Sequence, residues 1–183
     1  MKGPVPKQPP WQLTAEEIAG VVGGTLVSGE QDERFGPVSI DTRTLAAGDL
    51  FFAIRGDRFD GHDFVSGALD YGARGVVVSD RRAVPTSVTA VVIIVQDTVG
   101  ALQALAQHVR SGSGARVIAI TGSTGKTSTK EIVAAMLQTR YRVVRNQGNR
   151  NNHIGLPLSL LALLAQPELA VVELGMNHVG EIA

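Results

Sequence analysis

The stretch VIAITGSTGKTSTKE, residues 117–131, decides how the second half of the chain folds. Its first four residues form an apolar run that is typical of a buried strand. Small residues follow at positions 122–125, and from Lys126 onward the apolar side chains have helical spacing. A strand, a short glycine-rich loop and a helix in this order indicate a phosphate-binding turn. The predicted core face of the helix consists of Ile132, Val133, Met136 and Leu137.

The loop differs from the common phosphate-loop pattern G-x-x-x-x-G-K-[ST], which requires a glycine where this chain has Ile120. The other requirements are met. Small residues let backbone N–H groups converge on an anion, and the helix that begins there adds the positive end of its dipole. Lys126 can reach the outer phosphates of a nucleotide, and the Thr127 hydroxyl can hold Mg²⁺. The alternative is an ordinary strand-to-helix turn made of small residues.

Strands and helices alternate along the chain, which predicts an α/β fold with parallel strands. In the second part we expect strands over 116–121, 142–145 and 169–174, and helices over 127–139 and 157–165. In the first part we expect strands over 25–27, 38–41, 49–54, 75–79 and 89–95, and helices over 14–22, 62–71 and 99–109. The sequence SGSG, residues 111–114, separates the two parts. We predict a flexible proline-rich arm (1–12), a small α/β domain (13–112) and the first part of a parallel-sheet nucleotide-binding domain (113–183).

The composition narrows the possible functions. The 183 residues carry 17 basic and 17 acidic side chains, so the charge offers no basis for binding nucleic acid or an anionic membrane. The chain contains no cysteine, which excludes disulfides and thiolate metal sites and suits the cytoplasm. Its longest apolar run, residues 88–95, is too short to span a bilayer. We expect a monomeric cytoplasmic protein with neither a nucleic-acid partner nor a membrane segment.

Two further polar features follow predicted strands. Glu173 ends the run LAVVE, at the sheet edge where the phosphate loop also lies, so its carboxylate could reach Mg²⁺ or a water bound to it. The alternative is a solvated glutamate at a strand end, although burial there would be costly without a partner. The loop GNRNNHIG, residues 148–155, offers many donors and acceptors but could also be only a turn.

Four stretches together resemble the Mur ligases, the ATP-dependent amide-forming enzymes of peptidoglycan assembly. TGSTGKTS (121–128) is similar to the shorter phosphate loop of that family, T-G-[ST]-x-G-K-T-[ST], and runs on into TSTKE. SIDTRTLAAGDLFFAIRGDRFDGHDF (39–64), GNRNNHIGLPLSLL (148–161) and ELGMNHVGEIA (173–183) occur in the family's order. The last two look most like the members that add D-alanyl-D-alanine to UDP-N-acetylmuramoyl-tripeptide.

The resemblance implies a UDP-sugar-binding domain up to residue 112, followed by a domain that binds ATP and Mg²⁺. In that family ATP phosphorylates the tripeptide carboxylate, and the amine of D-alanyl-D-alanine attacks the acyl phosphate. The implied catalytic residues are Lys126 and Glu173, and the implied Mg²⁺ ligands are Thr127 and Glu173. The implied ATP-binding residues are Gly122, Ser123, Thr124, Gly125, Lys126, Thr127 and Ser128. The implied substrate-binding residues are Ser39, Asp41, Thr42, Arg43, Arg58, His62, Asn151, Asn152 and His178.

Several alternatives remain open. A Mur ligase that adds the third peptide residue is the nearest, and a non-catalytic UDP-sugar-binding module is the second. A third alternative, a general phosphate-loop kinase or GTPase, lacks support, because the sequence contains neither a later Asp-rich strand motif nor the guanine-reading N-K-x-D pattern. The chain stops just after a predicted strand, so we also expect an N-terminal fragment of a ligase that does not catalyse ligation alone.

Overall fold

The computed structural model describes residues 13–56, 58–148 and 150–175, so the predicted arm and His178 lie outside the described residues. The helices are α1 (Ala15–Val21), α2 (Val65–Asp70), α3 (Thr98–Gly112), α4 (Lys126–Gln138) and α5 (Gly155–Leu160). The strands are β1 (Thr25–Ser28), β2 (Val38–Ser39), β3 (Leu50–Phe52), β4 (Gly75–Val78), β5 (Val91–Ile94), β6 (Arg116–Ile120), β7 (Val143–Arg145) and β8 (Leu169–Glu173). The contacts divide them into two compact units, residues 13–18 with 26–94 and residues 19–25 with 95–175.

The first unit contains a five-stranded sheet in the order β1-β5-β4-β3-β2, in which the strands from β2 to β5 are parallel. Strands β3 and β4 are buried along their whole length, as their unbroken apolar sequences predict. The strand expected over 38–41 is only two residues long. It ends there because Asp41 starts a turn, in which its carbonyl accepts a hydrogen bond from Thr44 N.

Two helical segments begin with side-chain caps. Thr14 and Glu17 exchange side-chain and backbone hydrogen bonds in a reciprocal capping box before α1. The helix expected over 62–71 consists of a 3-10 turn, Gly61–Phe64, that continues into α2. Asp60 caps that turn by accepting a hydrogen bond from His62 N. Helix α2 then packs its Val65 and Ala68 against the sheet core.

The second unit contains a three-stranded parallel sheet in the order β6-β8-β7, which confirms the predicted parallel arrangement. The central strand β8 is fully buried, and its register pairs Ile120 with Glu173. Helix α3 packs on α5 and on the 3-10 turn Leu161–Ala165, and these contacts lie in this unit. The domain division between residues 112 and 113 stays a prediction. None of the helices among the described residues combines the length and apolarity that a bilayer crossing requires.

The predicted core face of α4 was partly wrong. Ile132 and Met136 are 61% and 67% exposed, whereas Lys130 and Ala134 are buried. The face that points inward follows the spacing 130, 133, 134 and 137, which is helical but contains a lysine. The predicted core face is therefore rotated relative to the buried face of α4. The reason is that a prediction from apolar periodicity leaves every lysine out of the core face.

Candidate nucleotide and metal site

The loop between β6 and α4 requires its two glycines. Gly122 has φ 144° and Gly125 has φ 74°, both in the region that side chains of L-residues rarely adopt. Gly125 occupies the position directly before the first turn of α4. The loop therefore curls tightly and leads at once into a helix N-terminus, whose unpaired backbone N–H groups can face an anion.

Lys126 is the first residue of α4, and its side chain folds back over the loop. Its Nζ donates a hydrogen bond to the carbonyl oxygen of Gly122 at 2.8 Å. This contact holds the ammonium beside the loop, where it can pair with an anion held by the loop N–H groups. The structure thus brings the predicted lysine and the predicted glycines together.

Glu173 and Thr127 meet directly, although they are far apart in the sequence. Thr127 Oγ1 donates to Glu173 Oε2 at 2.7 Å, and Asn151 Nδ2 donates to Glu173 Oε1 at 2.8 Å. Glu173 is only 3% exposed, so these two hydrogen bonds supply the partners that its burial requires. Glu173 is therefore not a solvated glutamate at the end of a strand.

The donor set of this site fits Mg²⁺. A hydroxyl and a carboxylate are hard oxygen ligands, and they lie at the start of the helix that follows the phosphate loop. Among the described residues no three acidic or histidine side chains form a cluster that could hold a metal. Mg²⁺ is commonly bound by one or two protein oxygens together with nucleotide phosphates, so a site this small is sufficient when a nucleotide is present.

Asn146 supports this site, and our sequence analysis missed it. The residue is 1% exposed, and its side chain forms two hydrogen bonds with the backbone of Glu173, to the carbonyl at 3.1 Å and from the N–H at 2.9 Å. Its Nδ2 also donates to the Arg150 carbonyl at 2.9 Å. The available signal was its position as the first polar residue after β7, at the carboxyl edge of a parallel sheet.

The two predicted asparagines have different roles in the described structure. Asn151 contacts the Glu173 carboxylate, and its carbonyl accepts a hydrogen bond from Gly175 N at 2.9 Å. Asn152 Oδ1 accepts hydrogen bonds from Ile154 N and Gly155 N, at 3.3 and 2.8 Å, where α5 begins. Their contact with substrate stays a prediction, but Asn151 belongs to the Glu173 site in this structure.

The predicted substrate residues of the first unit gather at the carboxyl edge of its sheet. Strands β2 and β3 are parallel neighbours, so the segments after Ser39 and after Phe52 leave from the same edge. Asp41 and Arg43 form a two-pronged ion pair with a shortest distance of 2.6 Å. The hydrogen bonds from the Arg43 side chain lower the pKa of Asp41. Thr42 lies between them, half-buried.

His62 is buried and hydrogen-bonded through both ring nitrogens. Nε2 accepts a hydrogen bond from Ser79 N at 2.9 Å, so the ring proton is assigned to Nδ1, which lies 2.6 Å from Asp60 Oδ1. The hydrogen bond from His62 N is the main cause that lowers the pKa of Asp60 to about 2. Arg58, in the same segment, is exposed. A substrate role for Arg58 and His62 stays a prediction.

The fold and this site define an α/β protein of the phosphate-loop class. Residues 35–110 match the model of the Mur ligase family, catalytic domain, and residues 120–183 match that of the Mur ligase middle domain. The chain belongs to the Mur ligase family.

Named relatives support this membership. The chain is 45% identical over 170 residues to the UDP-N-acetylmuramoyl-tripeptide–D-alanyl-D-alanine ligase of Bacillus subtilis (strain 168), covering 92% of this chain and 37% of that protein. It is 42% identical over 171 residues to the ligase of the same name from Escherichia coli (strain K12), covering 93% and 36%. The chain thus spans little more than a third of the length of these curated relatives.

Solved structures show the same fold. A crystal structure of MurF from Acinetobacter baumannii matches with a TM-score of 0.83 and 34% identity, covering 97% of this chain and 38% of that one. MurF from Thermotoga maritima in complex with ADP matches with a TM-score of 0.70 and 34% identity, covering 80% and 33%. These matches confirm the predicted fold class.

Proposed function

We propose that this chain serves an ATP-dependent ligase reaction that joins D-alanyl-D-alanine to UDP-N-acetylmuramoyl-tripeptide during peptidoglycan precursor synthesis. The names of the relatives support this proposal, together with their 34–45% identity over most of the chain. The observation that carries it is the hydrogen bond between Thr127 and Glu173 directly after the phosphate loop. As part of the same proposal we place the protein in the cytoplasm, because the reaction consumes ATP.

The proposed chemistry explains why the site contains these groups. A carboxylate is a poor electrophile until its oxygen is converted into a phosphate leaving group. Transfer of the terminal phosphoryl group of ATP to the tripeptide carboxylate forms an acyl phosphate and ADP. The amine of D-alanyl-D-alanine then attacks the carbonyl carbon, and inorganic phosphate leaves as the amide bond forms.

In this proposal the residues of the second unit bind the phosphates. The loop from Gly122 to Gly125 holds them with backbone N–H groups, and Lys126 contributes the cation that pairs with the outer phosphates. Thr127 and Glu173 hold Mg²⁺, which supplies charge screening between the two anionic reactants.

The first unit is proposed to bind the UDP-linked substrate. Ser39, Asp41 and Arg43 occupy the carboxyl edge of its sheet, which is where open α/β sheets bind their ligands. Arg43 exposes most of its side chain while Asp41 orients the guanidinium, so its outer face is free to pair with a phosphate.

Calorimetry tests the nucleotide part of the proposal. We expect Mg-ADP to bind the chain, and Lys126→Met to weaken that binding about tenfold, because a hydrogen bond to a charged group contributes about 1.5 kcal/mol. The matched control is Arg140→Met, which removes an exposed cation just after α4 and should leave the affinity unchanged. Equal weakening by both variants, or no binding of Mg-ADP to the unaltered chain, would contradict the assignment.

A second titration tests the substrate. UDP-N-acetylmuramoyl-tripeptide should bind the unaltered chain and should bind less well to Arg43→Met. Binding of this sugar nucleotide without any binding of Mg-ADP would favour the non-catalytic sugar-binding module instead.

A further inference from the structure

Lys130 is a lysine with no exposed side-chain surface. Its Nζ donates to the carbonyl oxygen of Asn146 at 2.8 Å and to that of Gly148 at 3.4 Å, and it lies 3.1 Å from Glu131 Oε1. An ammonium group has three N–H donors, and these three acceptors match them. A buried cation is costly unless it is fully paired, so the surrounding groups must be held in place for it.

Two of the three acceptors belong to one short segment, residues 146–148 and 150–152, which we call the asparagine loop. Lys130 thus ties helix α4 to the backbone of this loop. The third acceptor, Glu131, also pairs with Arg145 at 3.0 Å, and its side chain is 44% exposed. The contact with Glu131 can therefore be changed without altering the contacts with the loop carbonyls.

The asparagine loop in turn holds Glu173. The Asn146 side chain binds both backbone polar groups of Glu173, and the Asn151 side chain binds one oxygen of its carboxylate. The other carboxylate oxygen accepts from Thr127, which lies on α4 one turn before Lys130. One helix therefore fixes the carboxylate from two sides, directly through Thr127 and indirectly through Lys130.

We propose that Lys130 is a positioning residue of the nucleotide site. Its buried ammonium orders the asparagine loop so that Asn151 presents the Glu173 carboxylate for Mg²⁺. This inference rests on the proposed nucleotide site, but it concerns a residue that touches neither phosphate nor metal in that proposal. Residues that orient a metal ligand commonly change metal affinity 10- to 100-fold when they are replaced.

The test compares ADP binding by calorimetry with and without Mg²⁺. In Lys130→Met, which keeps an unbranched side chain one atom shorter and removes the charge, we expect ADP affinity without Mg²⁺ to stay within about twofold. The gain in affinity that Mg²⁺ provides should fall by about tenfold or more. The control, Glu131→Gln, keeps the loop contacts of Lys130 and should retain that gain.

A spectroscopic measurement separates positioning from a purely structural role. In the ¹⁵N spectrum of the unaltered chain, the two proton signals of the Asn151 side-chain amide should be further apart than those of a free amide, because one proton is bound to Glu173. Lys130→Met should reduce this separation to that of a free side-chain amide, whereas Glu131→Gln should not. A variant with a lower melting temperature but an unchanged Asn151 signal and an unchanged Mg²⁺ gain would overturn the proposal.

The outcomes also distinguish the two proposals. If the unaltered chain binds no ADP, the proposed function fails, while the Asn151 signal still decides whether Lys130 orders the loop. If Lys130→Met does not fold, the ¹⁵N ammonium signal of Lys130 is followed in the unaltered chain as Mg²⁺ is added to the ADP complex. A shift of that signal supports the proposal, and an unchanged signal overturns it.

Discussion

Replacement of Asn146 by alanine is the sharpest test of how Glu173 is held. Asn146 is 1% exposed, and its side chain forms hydrogen bonds with three backbone groups, namely the N–H and the carbonyl of Glu173 and the carbonyl of Arg150. Asn146→Ala leaves all three without this partner. The bond from Lys130 goes to the Asn146 backbone carbonyl, so the substitution removes no atom of that contact.

The magnitude follows from the number of groups left unpaired. A buried polar group without a partner costs about 1–3 kcal/mol, so three groups set an upper range of about 3–9 kcal/mol. Water that enters the vacated space and small shifts of the loop recover part of this loss. We therefore expect the free energy of unfolding of the second unit to fall by about 3 kcal/mol.

Two measurements check this expectation. Urea denaturation gives the change in unfolding free energy, and hydrogen exchange of the Glu173 amide reports the lost acceptor directly. If that amide exchanges through global opening of the unit, a loss of about 3 kcal/mol in unfolding free energy corresponds to roughly 100-fold faster exchange. The control, Asn152→Ala, removes acceptors at the start of α5 and should cost only about 1 kcal/mol. A loss below about 1 kcal/mol for Asn146→Ala, with Glu173 exchange unchanged, would refute the reasoning.

Two further substitutions test local features. Asp60→Asn removes the carboxylate that pairs with Arg55 and His62, and urea denaturation near pH 7 should show a loss of about 1 kcal/mol in the first unit. The folded-state pKa of Asp60, about 2, lies below its ordinary 3.8. The difference between the two proteins should therefore persist above pH 4 and be lost as the pH falls through 2, and a pH-independent difference would contradict this reasoning. Gly125→Ala places a side chain at φ 74° and should lower the free energy of unfolding by about 1–2 kcal/mol, as measured by thermal unfolding. The control, Gly112→Ala at the end of α3, should not lower it, and equal effects of the two substitutions would argue against strain in the loop.

Much of the fold could be predicted because it depends on local patterns. Unbroken β-branched runs produced β4 and β5, and the alternation of strands and helices predicted the parallel sheet of the second unit. Strand ends in a parallel sheet share one edge, so the approach of Glu173 to Thr127 could also be expected. These inferences need only the spacing of apolar residues along the sequence and the direction of the strands.

The roles of Lys130 and Asn146 could not be predicted in this way. Each depends on an acceptor or donor that comes from a distant segment, and no periodicity records such a partner. Ranking residues by hydrophobicity assigned Ile132 to the core face and left Lys130 out of it, whereas in the structure Ile132 is exposed and Lys130 is buried. The buried ammonium of Lys130 is paired with the Glu131 carboxylate and with carbonyl oxygens of the asparagine loop, and the convergence of those carbonyls is a tertiary property.

The missing glycine of the longer phosphate-loop pattern has a structural explanation. Ile120, which occupies its position, is the last residue of β6 and pairs in register with Glu173 on β8. The first loop residue with a positive φ is Gly122, two residues after the end of β6. A residue within a paired strand has extended backbone angles and does not need glycine. Strand β6 therefore ends directly beside Glu173, and the short loop brings the first turn of α4 close to the same residue. Thr127 in that turn donates a hydrogen bond to one carboxylate oxygen of Glu173, and Asn151 donates to the other.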